Sequence, residues 1–175
     1  MRAALAVRPE PQRILHVGCS TEALPDGLDG TETRLDIDPS VKPDIVASMT
    51  DLGEIGDFDV VYCSHSLEHL YPHEVAKALR EFWRVLVRGG FAMIIVPDLE
   101  GVRATEEVVY ESAAGPICGI DMIYGHRAQM EANPYMAHHC GFVADTLRAA
   151  LEAAGFDKVI TRRSVHDLAG VGLKL

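Results

Sequence analysis

No apolar run in this 175-residue sequence approaches the ~20 residues that a membrane-spanning helix requires, so no membrane association is expected. Positive charge is also short. Sixteen Lys and Arg are scattered among 26 Asp and Glu, for a formal net charge of −10, and no basic stripe is available to neutralise a phosphate backbone. Nucleic acid is therefore not an expected partner. Cys19, Cys63, Cys118 and Cys140 form no C-x-x-C pair, which argues against a disulfide framework or a structural zinc and predicts reduced thiols in a cytoplasmic setting. Repeats and low-complexity tracts are absent. The apolar stretch from Met1 to Val7 meets Pro9 and Pro11 too soon to supply the core of a secretory signal, and it reads as a ragged leader.

What is present is 48% hydrophobic residues, in short runs broken by charge or by Gly and Pro. That is enough for one sizeable core, and the chain is too short for two ordinary domains. Arg13 to Val17, bounded by Pro11 and Gly18, suits a buried parallel strand. Thr31 to Asp38, Asp44 to Ser48, Phe58 to Ser64 and Phe91 to Val96 follow as strands two to five.

Between the last two lies the strongest helical pattern, from Pro72 to Arg88. Val75, Ala78, Leu79, Phe82 and Leu86 share one face, Pro72 suits the first turn, and Gly89-Gly90 the stop. A second helix over Asp145 to Ala154 leads into a sixth strand, Phe156 to Arg162, and a final strand within Ala169 to Leu175. Strands alternating with helices predict a doubly wound α/β sheet, whose ligands bind beyond the carboxyl ends of the strands. Residues 99–143 break the alternation and carry several Tyr and His, which predicts a functional cap within a single domain spanning 1–175.

The segments ILHVGCS, RLDIDP, FDVVYCSHSLEHL and LREFWRVLVRGGFAMIIVPDLE, in this order, resemble the class I S-adenosylmethionine-dependent methyltransferases, in particular their small type 11 branch. The resemblance covers roughly residues 13–100 well and 138–162 weakly. It implies a Rossmann-like fold, mostly parallel with an antiparallel last strand, S-adenosylmethionine as cofactor and a small-molecule acceptor. Gly18 would allow close backbone approach by the methionine part of the cofactor. Asp36, eighteen residues on, would accept the ribose hydroxyls, with Ile37 beside it and Asp38 as the near competitor. Ser48 and Met49 would meet the adenine, Ser64 and His65 would lie beside the sulfonium and the methionine carboxylate, and Leu67 would close over the adenine.

The sequence departs from the family at the first loop. An acidic-x-Gly-x-Gly-x-Gly pattern is replaced by His16, Gly18, Ser20 and Glu22, which bears on cofactor affinity and not on the fold. The helix after strand one is missing or reduced to a turn, and Pro39 to Pro43 is shorter than the dozen or so residues usual for a parallel crossover. The early crossovers are thus shortened.

Glu68 and His69 follow a strand and precede a helix, so one of them could serve as a general base, while the competing reading is a helix-start carboxylate and a loop-holding histidine. His138, His139 and Cys140 suggest metal ligands, but adjacent histidines on an extended segment point to opposite faces and no second cluster completes a site, so no metal is expected. His65 and His139 are the leading acceptor-site candidates. Asp98 stands either at the mouth of the substrate pocket or as a local cap. The readings that remain are a methyltransferase or a non-catalytic binding or assembly module with a degenerate cofactor loop. A nicotinamide-dependent dehydrogenase is disfavoured because the loop lacks the glycine that admits a pyrophosphate.

Overall fold

The structure, a computed structural model, describes residues 12–112 and 115–175; the leader assigned to Met1 to Val7 lies outside the described residues. Five strands, Gln12–Val17 (β1), Gly30–Asp36 (β2), Ile45–Val46 (β3), Phe58–Ser64 (β4) and Leu86–Pro97 (β5), form the parallel part of a seven-stranded sheet. Val108–Ser112 (β6) and Gly115–Cys118 (β7) pair as a separate antiparallel hairpin. Asp157–Arg163 (β8) and Asp167–Leu173 (β9) complete the main sheet, in the order β3-β2-β1-β4-β5-β9-β8, with β9 antiparallel to both neighbours. This is the mostly parallel, Rossmann-like α/β sheet that the sequence predicts.

Period-two alternation sends the strand residues to two unequal faces. Leu15, Val17, Val61, Cys63, Ala92 and Ile94 join the main core. The helices Pro72–Val85 (α1) and Ala144–Ala153 (α3) cover that face with Val75, Leu79, Phe82, Leu147 and Leu151. Pro72 opens α1, and the Glu74 carboxylate accepts the Tyr71 N–H at 3.0 Å, satisfying one of the free amides at the helix start. The seat of α3 depends on bare backbone in β9: a Cβ at Gly170 would lie 2.9 Å from both Leu147 and Leu151. On the opposite face, Ile14, Val60 and Tyr62 are covered by Leu24 and Leu28, from the connection between β1 and β2. That connection holds turns and no helix, and β2 reaches β3 through one 3-10 turn at Pro39–Val41.

Several boundaries differ from expectation. Helix α1 ends at Val85, and Gly89-Gly90 lie within β5, where Gly89 N–H donates to the Lys174 carbonyl and Lys174 N–H to the Gly90 carbonyl. The glycines therefore continue a ladder. The third strand keeps only Ile45–Val46, because its Asp44 instead receives the Arg34 N–H on its carboxylate at 2.8 Å. The last strand begins at Asp167.

Residues 99–143 contain β6, β7, a short helix Gly119–Tyr124 (α2) and two 3-10 turns, Arg127–Gln129 and Pro134–Met136. Asp121 anchors this segment by accepting from Arg127 Nε at 2.7 Å and from the Cys118 thiol at 2.9 Å. Burial pushes the Asp121 carboxyl up, but the Cys118 and Arg127 hydrogen bonds outweigh it and bring its pKa down to about 2. Among the described residues no helix is long and apolar enough to cross a membrane.

The unequal cover of the faces sets an expectation for stability. Leu151→Ala, fully buried beneath Gly170, lowers unfolding free energy by about 2–5 kcal/mol. Ile160→Ala, on the exposed side of β8, changes it by less than about 0.5 kcal/mol. Urea unfolding of the two variants reads the difference, and equal losses would mean that the helices cover the other face.

Candidate active site

The site begins where β1 ends. Gly18 has φ +64°, and its N–H donates to the Leu35 carbonyl at 2.8 Å, which ties the first loop to β2. A Cβ at Gly18 would stand 2.2 Å from Ser66 Oγ. Glycine is therefore required by the approach of the residues after β4 as well as by a left-handed backbone. Ser66 Oγ lies 3.2 Å from the Gly18 carbonyl and 3.0 Å from the Ser64 carbonyl, joining the two strand ends.

Where the family has further glycines, this loop is braced from outside. Ser20 adopts φ +43°, a left-handed conformation that glycine would take at less cost, and its N–H donates to Asp36 Oδ2 at 2.8 Å. Arg34 donates to the Ser20 and Glu22 carbonyls, each at 2.8 Å. The same guanidinium meets Glu32 at 3.2 Å, and Glu32 lies 2.7 Å from His16 Nδ1. His16 is thus a buried member of this brace, tilted against Tyr62, and does not line the cavity, so the structure brings it to the loop and not to the other cofactor candidates.

Beyond the strand ends lies a cavity of about 210 Å³ whose wall includes Gly18, Ser20, Asp36, Ile37, Ser48, Met49, His65 and His69. Asp36 and Asp38 both reach the wall but do different work. Asp36 Oδ1 accepts the Asp38 N–H at 2.9 Å and Oδ2 accepts from Ser20, while Asp38 starts the following turn by accepting the Ser40 N–H at 2.8 Å. Each Asp36 oxygen keeps a further lone pair for a ligand hydroxyl. A strand-end carboxylate, bare backbone at Gly18 and the Ser48 hydroxyl border one cavity, and this set of groups is compatible with S-adenosylmethionine.

His65 follows β4 at φ +49°, a strained conformation for a residue with a Cβ, and its side chain is half exposed to the cavity. Its Nε2 lies 3.4 Å from Asp167 Oδ1, and its Nδ1 lies 3.5 Å from Glu68 Oε1. Burial works against protonation, but the Asp167 and Glu68 carboxylates overcome it and push the pKa up to about 10. The arrangement holds His65 as a cation between two carboxylates.

The remaining predicted residues divide. Glu68 is buried behind the wall, whereas His69 is in it. Ser64 is outside the wall and contributes its carbonyl to Ser66. Leu67 is fully buried in the main core and does not line the cavity. His139 is exposed and stacks on Tyr71 at 4.3 Å, away from the cavity, while its neighbour His138 turns inward to Met122. Asp98 is buried, paired with Arg163, and accepts the Glu100 N–H at 3.0 Å; with both partners it borders a second cavity of about 350 Å³. The wall residues Ser66, Asn133 and Met136 were not singled out from the sequence, nor was Asp167 behind His65, whereas Tyr135 belongs to the segment expected to form a cap. Their only signal is composition, because chain neighbours do not show which loops meet.

The Gly18 contact is testable by a compensating pair. Gly18→Ala lowers stability by about 1–3 kcal/mol through overpacking and reduces adenosyl-ligand affinity; adding Ser66→Gly, which removes the clashing atoms, restores part of the melting temperature. No recovery in the double variant would show that the steric contact is not the cause.

Residues 15–94 match the family model described as a methyltransferase domain. No curated protein matches the chain by sequence. Among solved structures, the Burkholderia thailandensis 1,6-didemethyltoxoflavin-N1-methyltransferase, with bound 1,6-didemethyltoxoflavin and S-adenosylhomocysteine, aligns at TM-score 0.64 and 16% identity over 94% of this chain and 72% of its own. An S-adenosylmethionine-dependent methyltransferase from Mesorhizobium loti aligns at TM-score 0.64 and 17% identity, covering 93% of this chain and 90% of its own. A Haloferax volcanii complex of the Trm112 methyltransferase activator with a protein assigned as a methyltransferase aligns at TM-score 0.60 and 16% identity, covering 94% and 83%. At such identities the structural likeness speaks for the fold, and the matched segment carries most of β1 through β5 and the cavity-wall residues from Val17 to Leu70. The chain has the fold of the S-adenosylmethionine-dependent methyltransferases and carries, over residues 15–94, a match to the methyltransferase-domain family model.

Proposed function

We propose that the chain transfers a methyl group to an oxygen, nitrogen or carbon of a small-molecule acceptor held at the His65 side of the strand-end cavity, beneath residues 99–143. One observation carries the reading: Asn133, Tyr135 and Met136 of that segment share a cavity wall with Gly18, Asp36 and His65. A single cavity thus offers both a cofactor cradle and side chains from the segment 99–143. The four free thiols fit a reducing, cytoplasmic compartment.

When bound, S-adenosylmethionine supplies an activated methyl group on its sulfonium. The chain's own task is then positioning, since in-line displacement depends chiefly on holding the nucleophile near the methyl group. In this reading Gly18, Ser20, Asp36, Ile37, Ser48 and Met49 hold the cofactor. His65 contacts the acceptor, and Asp167 is a positioning residue that acts through His65. The segment excludes water from above. Of the acceptor-site residues expected from the sequence, His139 takes no part, because it stacks outside the cavity.

The single glycine of the first loop supports a second reading, a non-catalytic binding or assembly module. Calorimetry with S-adenosylhomocysteine separates the two. Binding by the natural chain, at least tenfold weaker in Asp36→Asn and little changed in Asp38→Asn, supports the enzyme; absence of binding supports the module. With an acceptor found by screening, Asp167→Asn lowers kcat at least tenfold while adenosyl affinity stays within about threefold. Parallel loss of both would assign Asp167 a purely structural role.

A further inference from the structure

Glu68 presents an unusual balance. Its side chain is 1% exposed, and neither carboxylate oxygen has a hydrogen bond. The ion-pair contact from His65 Nδ1, at 3.5 Å, is long and reaches one oxygen alone. An ionised carboxylate so placed costs several kcal/mol unless positive charge meets it. Glu68, His69 and His138 each bring one possible ligand atom to the same place, all within 4.8 Å of one another.

The His138 imidazole is set for lone-pair donation inward. His138 Nδ1 lies 3.1 Å from the Met122 carbonyl, an acceptor that fixes the proton on Nδ1 and leaves the Nε2 lone pair free. His69 faces a carbonyl from each nitrogen, Ala137 at 3.0 Å and His65 at 3.1 Å. A neutral ring carries one N–H, so its other nitrogen sets a lone pair against oxygen. The backbone locks the parts together, since His139 and Cys140 N–H groups both donate to the Glu68 carbonyl, at 2.9 and 3.1 Å.

We propose that Glu68, His69 and His138 form a binding site for a divalent first-row metal ion of the zinc type. Two imidazoles and one carboxylate suit such an ion and do not suit calcium or magnesium, which take oxygen ligands. Tetrahedral ligands about 2.1 Å from an ion stand about 3.4 Å apart, so the three groups close in modestly on binding. Three protein ligands leave a coordination position open. His69 also lines the strand-end cavity, which places the ion at its wall. The adjacent pair His138-His139 does diverge, His139 to the surface and His138 inward; the completing ligands come from residues 68 and 69, some seventy positions away. The site stands on these contacts and does not depend on the acceptor reading above.

Chelator-treated full-length protein, titrated with Co²⁺ and then Zn²⁺, tests the site. One equivalent of Co²⁺ with a ligand-field absorption, displaced by Zn²⁺, is expected, together with two paramagnetically shifted imidazole N–H resonances. Glu68→Gln and His138→Gln weaken Zn²⁺ binding at least tenfold, while His139→Gln does not. S-adenosylhomocysteine affinity of His138→Gln stays near that of the natural chain, so loss of the metal and loss of the cofactor site are told apart. No stoichiometric Co²⁺ binding, no shifted histidine signals, or unchanged binding in both ligand variants overturns the proposal.

Discussion

The contact between Gly18 and Ser66 is the constraint on which the site depends. It brings the loop after β1 against the turn after β4 with no room for a Cβ between them. Because the Gly18 N–H is also bound to the Leu35 carbonyl, the ends of β1, β2 and β4 become one rigid rim. Asp36 stands on that rim with both carboxylate oxygens holding backbone amides, so its position is set before any ligand arrives. The loop has lost the glycines usual in the family, yet its path is kept by the Arg34 guanidinium on the Ser20 and Glu22 carbonyls. Conformational freedom has been replaced by external hydrogen bonds.

The same economy shapes the sheet. Helices α1 and α3 bury one face under apolar side chains, whereas the connection between β1 and β2 covers the other with Leu24 and Leu28 alone. Shortened crossovers leave the strand order intact because β1, β2 and β3 need only neighbouring backbone to pair. Missing helices therefore alter what covers the sheet and leave its carboxyl edge in place. On that edge, the antiparallel β9 starts with Asp167, which brings a carboxylate from the end of the chain to His65 after β4.

Elements with strong periodicity were legible in the sequence. The β4, α1 and β5 succession follows from a β-branched run, a helical apolar face and a second apolar run, and Phe58–Ser64 was placed to the residue. Gly89-Gly90 misled because local sequence marks a helix stop, whereas pairing with Lys174 draws both glycines into β5. The β6 and β7 hairpin was missed, as Val108–Ser112 and Gly115–Cys118 carry little alternation and pair only with each other. Gly18, Asp36 and Ser48 could be placed beside one cavity because strand ends can be placed from the pattern, and Met49 followed from the family resemblance. His16, Leu67 and His139 could not be assigned from chain position, since the side to which each side chain turns is decided by tertiary neighbours: Glu32, the main core and Tyr71. Asp167 and Asn133 reach the site through long-range folding for which neighbouring residues hold no signal.

A crystal structure of the full chain with S-adenosylhomocysteine tests the central claim most directly. The account predicts the ribose hydroxyls within hydrogen-bond distance of the Asp36 carboxylate and the homocysteine part against the Gly18 backbone, with Asn133, Tyr135 and Met136 over the ligand. An adenosyl ligand seated instead in the cavity bordered by Asp98 and Arg163, or with its ribose away from Asp36, would contradict it.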